Sequence, residues 1–453
     1  SGGEGDSPLG GEDGGLAGGD TLADTGPGDN GFNDGPLSDA GFGGDSFGTV
    51  GDRTAAADGR GNGGVDGPAA NGGDAGPVAE AAVAAVADNL VQAIDSMNAA
   101  DIPVAEQKQV FAKLGGEAVV KSLSNSDNPV ARNVGALLSQ VRQGQGVDFN
   151  QMKNLLQSQG VEKDTMMTYL AAQQVVQKEA RTAQFSGALS QLRSGDVKNP
   201  FGQFTDGGGT DDATAPKLGK YVAILIGVEK YGGKIPDLNT PIGDIKAMSD
   251  VLQKRFGYDT VMLPDASHDD IVKTLQRVGG SLRPDQSLMV YYAGHGYTQT
   301  DTGVGYWLPR DASSGSADKW ISTADLSGYL SQVKSNQIMV ISDSCYSGNL
   351  TKEHRVETAA KDAPLTDVAD KRSVLVMSSG GEEPVYDDGY PGHSVFAGNL
   401  IEALENVPDD QRISSLFATV RDKVAENVPQ TPTMGALLSA GHEVGGDFIL
   451  DVK

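Results

Sequence analysis

The chain has 453 residues, a formal net charge of −26 and a single cysteine. This length allows two or three domains, each large enough to bury its own core. The acidic balance repels nucleic-acid phosphates and anionic membranes, so we expect no nucleic-acid or membrane partner. One cysteine excludes an intramolecular disulfide and a metal site built from several thiolates.

Residues 1–75 are rich in Gly and Asp and nearly lack large apolar side chains. Such a composition cannot offset the entropy lost on ordering, so we predict a disordered acidic tail. Repeated Asp and Gly leave a cation-binding tail open as an alternative, although neither a nine-residue repeat nor EF-hand spacing is present.

Targeting signals are not evident in the sequence. Residues 1–20 lack the basic and apolar regions of a signal peptide, and no apolar run reaches the roughly 18 residues of a membrane span. Together with the acidic, cysteine-poor composition this favours a bacterial cytoplasmic protein. The chain begins at Ser1 rather than methionine, so secretion after removal of a signal stays open.

Residues 76–200 show helical periodicity in Ala, Gln, Leu and Val, which predicts an all-helical domain of about four to six helices. Its expected role is regulation or partner binding. The stretch 201–217 is acidic and rich in Gly, which indicates a linker. Breaks between helices are expected near four residues: Pro103, Gly115, Pro129 and Gly160.

From residue 218 to 453, short apolar runs alternate with amphipathic stretches, which is typical of an α/β domain with a mainly parallel sheet. One helix is expected over 241–256, and a last strand over 447–451 is expected to close the domain. The other strands are predicted over 221–228, 259–264, 287–294, 337–343 and 373–379.

Two of these strands end in residues that carry chemistry. His295 follows the third strand and Cys345 follows the fourth, and glycines flank both. If the two strands are neighbours, their carboxyl ends meet at one sheet edge, where an imidazole can deprotonate a thiol. The separation of 50 residues (345 − 295) matches the spacing of about 50 known between His and Cys in caspases.

The segments YYAGHG (291–296) and ISDSCYSG (341–348) resemble the His-Gly and Asp-x-Cys-x-x-Gly motifs of caspase-like cysteine peptidases, in the metacaspase and bacterial orthocaspase branch. The resemblance covers about residues 218–453 and leaves the first half unexplained. Further similar segments are AILIGVEKY (223–231), GDIK (243–246), LPRD (308–311) and GGDF (445–448).

The resemblance implies a caspase-like α/β fold with a six-stranded sheet, and a cysteine endopeptidase with a Cys-His dyad. Cys345 is the implied nucleophile and His295 its base. The backbone N–H groups of Gly296 and Cys345 are implied to hold the oxyanion. No third member of the catalytic set is evident in the sequence.

The same resemblance implies cleavage of protein substrates after Arg or Lys. Asp343 and Asp244 match two aspartates of the metacaspase specificity pocket, and paired carboxylates favour a guanidinium or ammonium. The alternative, purely structural role is that of a hydrogen-bonded strand-end residue for Asp343 and of a helix-start residue for Asp244. Tyr386, after the fifth strand, is expected to contact the peptide.

Many metacaspases bind calcium through an Asp cluster after the His motif. In the matching stretches here, 304–307 and 322–325, only Asp325 keeps a carboxylate. We therefore expect no metal ion or other cofactor, and calcium activation is disfavoured.

The polar stretch 349–373 corresponds to the activation loop of caspase-like enzymes. It predicts a zymogen cut there by itself or by an upstream peptidase, with the helical half restraining the site; an ordinary exposed loop is the alternative. A catalytically silent, partner-binding scaffold also stays open. The candidate cut sites are Lys352, Arg355, Lys361, Lys371 and Arg372.

Overall fold

The computed structural model describes residues 89–145, 149–194, 200–201, 218–299, 302–344, 364–380 and 389–453. The predicted tail lies outside these ranges. Within them, no helix is both long enough and apolar enough to cross a membrane. Five of the candidate site residues also lie outside the described residues: Cys345, Lys352, Arg355, Lys361 and Tyr386.

The described part of the first half is helical. It contains seven helices rather than the expected four to six, because single residues such as Gly115 and Phe185 separate neighbouring helices and barely interrupt the apolar period. The helices are α1 (Leu90–Ala99), α2 (Val104–Leu114), α3 (Gly116–Ser124), α4 (Pro129–Arg142), α5 (Phe149–Ser158), α6 (Lys163–Gln184) and α7 (Ser186–Ser194).

Local chemistry sets the helix boundaries. Asn128 precedes α4, and its side-chain oxygen accepts hydrogen bonds from the N–H groups of Val130 and Ala131, at 2.8 and 3.3 Å. Pro129 then occupies the first turn, where its missing N–H costs nothing. Gly115 has φ of 80°, which lets the chain turn sharply between α2 and α3.

The longest helix, α6, is the centre of this bundle and packs against α1 to α5. Its residues 167–176 are all buried, so it has no free polar face over this stretch. A helix buried on all sides is held mainly by packing. The far end of α6, beyond this stretch, extends to the second half of the chain.

The second half contains a six-stranded sheet. Its strands are β1 (Tyr221–Gly227), β2 (Asp259–Pro264), β3 (Ser287–Ala293), β7 (Gln337–Asp343), β8 (Ser373–Ser378) and β12 (Thr433–Ala436). The strand order is β12-β8-β7-β3-β1-β2. β12 is antiparallel to β8, and the other five strands are parallel.

Small sheets and helices surround this sheet. The remaining strands are β4 (Gly296–Thr298), β5 (Gly305–Trp307), β6 (Ile321–Ser322), β9 (Gly389–Tyr390), β10 (His393–Ser394), β11 (Gln411–Arg412) and β13 (Ile449–Leu450). The helices are α8 (Pro241–Val251), α9 (His268–Ser281), α10 (Thr323–Leu330), α11 (Leu365–Ala369), α12 (Val395–Glu405) and α13 (Ile413–Asn427).

Two predicted elements differ from the structure. The helix expected over 241–256 is α8 followed by a π-helical turn, Leu252–Phe256. The last predicted strand does not close the main sheet, because β13 pairs with β11 instead. The sixth strand is β12, which the sequence pattern missed because Pro432 precedes it and Gly435 interrupts it.

The sheet separates two hydrophobic layers. Along β3, Tyr291 belongs to the layer on one face and Tyr292 to the layer on the other, as the alternation of side chains in a strand requires. β1, β3 and β8 are buried along their whole length. Strands buried on both faces are typical of a parallel sheet covered by helices, so the predicted α/β fold class is confirmed.

The helical half contacts the α/β half through the end of α6 and through α7. Phe185, between the two helices, is buried with its ring edge-on to Tyr297 and Trp320, and both centroid distances are 5.3 Å. The N–H of Ala317 donates to the Gln191 side chain of α7 at 2.8 Å. The end of α6 therefore packs against β4, which follows β3, and against the loop that follows β5.

Candidate active site

The register of β3 and β7 brings the two motif segments to one edge of the sheet. The last paired residues are Ala293 of β3 and Asp343 of β7. His295 and Cys345 each follow by two positions in the chain. The structure describes His295, whereas Cys345 lies outside the described residues.

The backbone of His295 is fixed on both sides. Its N–H donates to the hydroxyl of Tyr231 at 2.7 Å. Its carbonyl oxygen accepts from the hydroxyl of Tyr292 at 2.7 Å and from the N–H of Leu308 at 3.0 Å. Gly294 precedes it, and a Cβ there would lie 2.8 Å from both tyrosine hydroxyls, so these contacts require glycine.

The imidazole of His295 has a third partner that the sequence did not reveal. Its Nε2 lies 2.8 Å from the carbonyl oxygen of Pro236. A carbonyl oxygen can only accept, so Nε2 carries the proton and Nδ1 of the neutral ring is left as a base. A backbone carbonyl 59 positions away has no residue-type signature, which is why sequence analysis did not predict this contact.

Burial keeps His295 neutral. Its side chain is 5% exposed, and the pKa is lowered to about 3, first by desolvation and then by the positive charge of Arg181. The contact with Pro236 opposes this shift. The ring is therefore present in its basic form at neutral pH, but little of it is open to solvent.

Gly296 begins β4 opposite Trp307 of β5. The N–H of Leu308 donates to the carbonyl of His295, which makes the Gly296–Trp307 pair the non-hydrogen-bonded type in this antiparallel ladder. The N–H of Gly296 consequently points away from β5. No hydrogen bond from this N–H to another described residue is seen, so within the described part of the chain it is available to a ligand beside His295.

The two predicted specificity aspartates are both buried near His295. Asp244, in the first turn of α8, is 1% exposed, and its Oδ1 lies 2.7 Å from Nδ1 of His393. Desolvation raises its pKa, while His393 acts in the opposite direction. The other oxygen, Oδ2, is buried and has no hydrogen-bond partner among the described residues.

Asp343, at the end of β7, is 5% exposed. Its Oδ2 accepts a hydrogen bond from the hydroxyl of Ser394 at 2.5 Å. Ser394 also accepts from the N–H of Ala397 and so begins α12. The adjacent residues His393 and Ser394 thus each contact one of the two aspartates. Sequence analysis missed both, since their only local signal is that of a helix start.

These groups line one small pocket. Asp244, Asp343 and His295 share it with Arg181 of α6. The cavity holds about 20 Å³, which is room for about one water molecule. A larger cleft of about 680 Å³ adjoins it between the ends of α4 and α6 and the loop 234–239. A pocket lined by two carboxyl groups therefore lies beside the histidine, and Arg181 of the helical half also lines it.

Two candidate cut sites have structural contacts. The guanidinium of Arg372 donates to the carbonyl oxygens of Ser335 and Leu330, at 2.5 and 3.0 Å. The next residue, Ser373, is buried at the start of β8. Lys371 Nζ donates to the carbonyl of Val444 at 3.1 Å. These contacts argue against cleavage at Lys371 or Arg372, because a cut there would require part of the sheet to unfold.

No cluster of three or more His, Cys, Asp or Glu suited to a metal ion occurs within the described ranges. Asp325 is the one carboxylate in the stretches that match the calcium-binding cluster of many metacaspases. It accepts a hydrogen bond from the hydroxyl of Ser322 at 2.6 Å. It is engaged at the start of α10, where it stabilises the helix terminus.

Comparison with known proteins gives a consistent result. A family model described as a caspase domain matches residues 220–439. Metacaspase-1 of Debaryomyces hansenii is 31% identical over 153 residues, which cover 29% of this chain and 33% of that protein. Metacaspase-1 of Botryotinia fuckeliana is 29% identical over 188 residues, which cover 36% and 43%.

Among solved structures, caspase-1 from Spodoptera frugiperda aligns with 17% identity and a TM-score of 0.36, covering 48% of this chain and 86% of that one. The family model by itself identifies residues 220–439 as a caspase domain, the domain of caspase-like cysteine peptidases. The two curated relatives that the domain resembles are both metacaspases. The matches span less than half the length of these metacaspases.

Proposed function

We propose that the chain is a cysteine endopeptidase that cuts proteins after Arg, or less readily after Lys. Cys345 is the nucleophile, His295 the base, and Asp244 and Asp343 bind the basic side chain before the cut. The protein is made as a zymogen.

The register of β3 and β7 is the observation that carries this proposal. Ala293 pairs with Asp343, and in the sequence His295 and Cys345 each come two positions after these paired strand ends. Functional groups gather at this edge of parallel sheets because the strands hold the following loops rigidly.

The chemistry follows from the tautomer of His295. Nδ1 takes the proton of the Cys345 thiol, and the thiolate forms a bond to the scissile carbonyl carbon. Carbonyl electrons move to the oxygen, where the N–H of Gly296 is available to stabilise them with that of Cys345. The proton passes from Nδ1 to the leaving amine as the C–N bond breaks.

Deacylation reverses the proton route. Water loses a proton to Nδ1 and attacks the thioester carbon, and the proton returns to the sulfur as the acid is released. Throughout, the Nε2–H bond to Pro236 keeps the ring oriented and favours the imidazolium that forms in each step.

The proposed specificity depends on two carboxylates in one pocket. Asp244 and Asp343 are both almost fully buried, and no lysine or arginine other than Arg181 is among the described lining residues. Burying carboxylates is costly unless a cation neutralises them. A guanidinium satisfies them better than an ammonium because its planar fork donates to two oxygens at once.

Activation is proposed to occur by a cut between residues 349 and 373, by the enzyme itself or by an upstream peptidase. The remaining candidate positions are Lys352, Arg355 and Lys361. An upstream regulator acting on the helical half is a further expected partner, because α6 contacts the pocket.

Cleavage of short fluorogenic peptides ending in Arg, Lys or Asp tests the proposal. The full chain and Cys345→Ala are compared before and after limited trypsin treatment. Cutting after Arg or Lys that disappears in Cys345→Ala is the expected result, and dependence on trypsin supports the zymogen. Absence of Cys345-dependent cutting under every condition contradicts the proposal and favours the silent scaffold.

A further inference from the structure

The indole of Trp307 lies across the two strands that end in the motif segments. Tyr292 of β3 and Ser342 of β7 are opposite each other in the sheet, so their side chains lie on the same face. Trp307 stacks on the Tyr292 ring with a centroid distance of 4.6 Å and an interplanar angle of 8°. Its Nε1–H donates to the hydroxyl of Ser342 at 2.8 Å. One side chain of β5 therefore contacts both strands near their carboxyl ends.

On the side of β3, these contacts continue to the base. The hydroxyl of Tyr292 donates to the carbonyl oxygen of His295 at 2.7 Å and accepts the N–H of Leu308 at 3.1 Å. The backbone of Trp307 itself is opposite Gly296, the residue after the base, in the pair of β4 and β5. The same few contacts therefore fix both the indole and the backbone of His295.

On the side of β7, the contacts continue towards the nucleophile. The hydroxyl oxygens of Ser342 and Ser344 are hydrogen-bonded at 3.0 Å, and the two residues are 0% and 1% exposed. Ser344 is the residue before Cys345 in the sequence. The indole N–H therefore holds a pair of hydroxyls that ends one residue before the proposed nucleophile.

The polar part of this contact has a function that apolar packing cannot supply. The preceding residues on this face of β7, Ile338 and Val340, are apolar and belong to the hydrophobic layer. A hydrogen bond has a preferred length and angle, whereas hydrophobic contact has no direction. An indole N–H can only donate, so the bond from Trp307 to Ser342 fixes one orientation of the ring against β7.

We propose that Trp307 is a positioning residue for the reaction. Its stack on Tyr292 and its hydrogen bond to Ser342 set the distance between the two motif segments. This inference rests on the proposed chemistry of Cys345 and His295. Proton transfer between a thiol and an imidazole needs hydrogen-bond contact, so a small displacement slows the chemical step. Binding of the substrate side chain in the acidic pocket is affected less.

The first test measures steady-state cleavage of an Arg-ending fluorogenic peptide by the activated chain. Trp307→Phe keeps a ring for stacking and removes the N–H, whereas Ser342→Ala removes the acceptor with little change in volume. Each is expected to lower kcat by about tenfold and to change KM by less than about threefold. Both variants break the same hydrogen bond, so the double variant is expected to lose no more than about the larger single loss.

Trp320→Phe is the matched control. Trp320 is also 1% exposed, and its Nε1–H donates to the carbonyl oxygen of Ser313 at 3.1 Å. It packs on Tyr297 and Tyr306 rather than on the ends of β3 and β7. It is expected to retain kcat, while thermal unfolding shows a loss of stability comparable to that of the Trp307 variant.

The second test needs no substrate. Cys345 is the only cysteine of the chain, so iodoacetamide labels no other thiol. Near pH 7 the wild type is expected to react faster than His295→Gln, because the base assists loss of the thiol proton. Trp307→Phe and Ser342→Ala are expected to lower the rate towards that of His295→Gln. Trp320→Phe is expected to keep the wild-type rate.

The outcomes separate the inference from the function beneath it. If the wild type cuts after Arg and its alkylation depends on His295, but Trp307→Phe and Ser342→Ala match it in both assays, the inference is overturned and the proposed function stands. Ser342→Ala decides alone if Trp307→Phe does not fold. An equal loss of kcat in Trp320→Phe also overturns the inference, because weakened core packing then explains the loss. If no form cuts and alkylation is independent of His295, the proposed chemistry fails, and the inference fails with it.

Discussion

Nε2 of His295 lies 2.8 Å from the carbonyl oxygen of Pro236. The proton on Nε2 is committed to this contact, so only Nδ1 is available to exchange a proton with a thiol or an amine. Pro236 shares its loop with Lys234, whose carbonyl accepts from Gln184 of α6. The loop therefore connects the orientation of the His295 ring to the docking of the helical half.

Tyr231→Phe is expected to lower kcat about tenfold with little change in KM. The hydroxyl of Tyr231 accepts the backbone N–H of His295, and loss of the partner of a buried N–H costs about 1–3 kcal/mol. Steady-state kinetics with an Arg peptide on the activated enzyme measures this. Tyr258→Phe is the control, since its buried hydroxyl has no hydrogen-bond partner in the described ranges. Equal effects of the two changes would contradict the assignment.

Asp244→Asn is expected to lower kcat/KM for Arg peptides by about 100-fold or more, because it removes one partner of a buried charge pair. The shape of the side chain and the hydrogen bond to His393 are retained. Kinetics with Arg peptides measures the loss, and Asp250→Asn, an exposed position on the same helix, is the control. A loss below about threefold would show that Asp244 does not bind the substrate cation.

The same substitution is expected to raise the melting temperature near neutral pH. Burial raises the pKa of Asp244 above its ordinary 3.8, so the carboxylate form is disfavoured in the folded chain. Stability from this residue is lost as pH rises from 3.8 through the raised pKa, and Asn removes that loss. Thermal unfolding of both forms near pH 4 and near pH 8 measures it: the gain should be confined to the higher pH.

His393 is expected to control how pH affects substrate affinity. Its hydrogen bond to Asp244 raises its pKa, and Glu405 adds to the shift. At pH values below this raised pKa, His393 is protonated and pairs with Asp244. KM for Arg peptides is therefore expected to fall as the pH rises through the pKa of His393. His393→Gln is expected to remove this dependence of KM, whereas His268→Gln, at a half-buried histidine that contacts Asp269 instead, retains it. An unchanged KM profile in His393→Gln would contradict this role.

Arg181→Gln is expected to raise the pKa of His295 from about 3 towards its ordinary 6.5, since it removes a neighbouring charge and opens the ring to water. The lowered pKa in the wild type gives stability that is complete above pH 6.5 and is lost as pH falls towards 3. NMR titration of the five histidines in the Cys345→Ala background measures this, with His295→Gln to assign the signal. A pKa unaffected by the Arg181 change would place Arg181 away from the base.

Four of the parallel strands, β1, β3, β7 and β8, could be predicted because they are almost fully buried and form continuous apolar runs. The edge strand β2 is largely exposed or half-buried, and its short apolar run alone predicted it. The boundaries predicted for β2 and β7 coincide with the observed ones. β12 could not be predicted, because a short edge strand with Gly435 and a preceding proline carries neither an apolar run nor alternation. Its place in the sheet is decided by β8, the neighbour with which it pairs.

The site residues also divide into those that local sequence predicts and those that only the tertiary fold brings together. His295 and Asp343 stand in motifs at strand ends, where local sequence predicts their proximity. Pro236 contributes a backbone atom, and Arg181 comes from the half of the chain that the family resemblance does not cover. Such contacts join residues far apart in the sequence through the tertiary fold, so no local pattern reports them.

Mapping of cleavage sites in a denatured protein mixture tests the central claim most directly. The activated chain and Cys345→Ala, treated identically, are incubated with the mixture, and new N-termini are identified by mass spectrometry. We predict that nearly all new cuts follow Arg or Lys, with Arg in excess, and that Cys345→Ala produces none of them. Cuts that follow Asp, or cuts after Arg and Lys that persist in Cys345→Ala, would contradict the account.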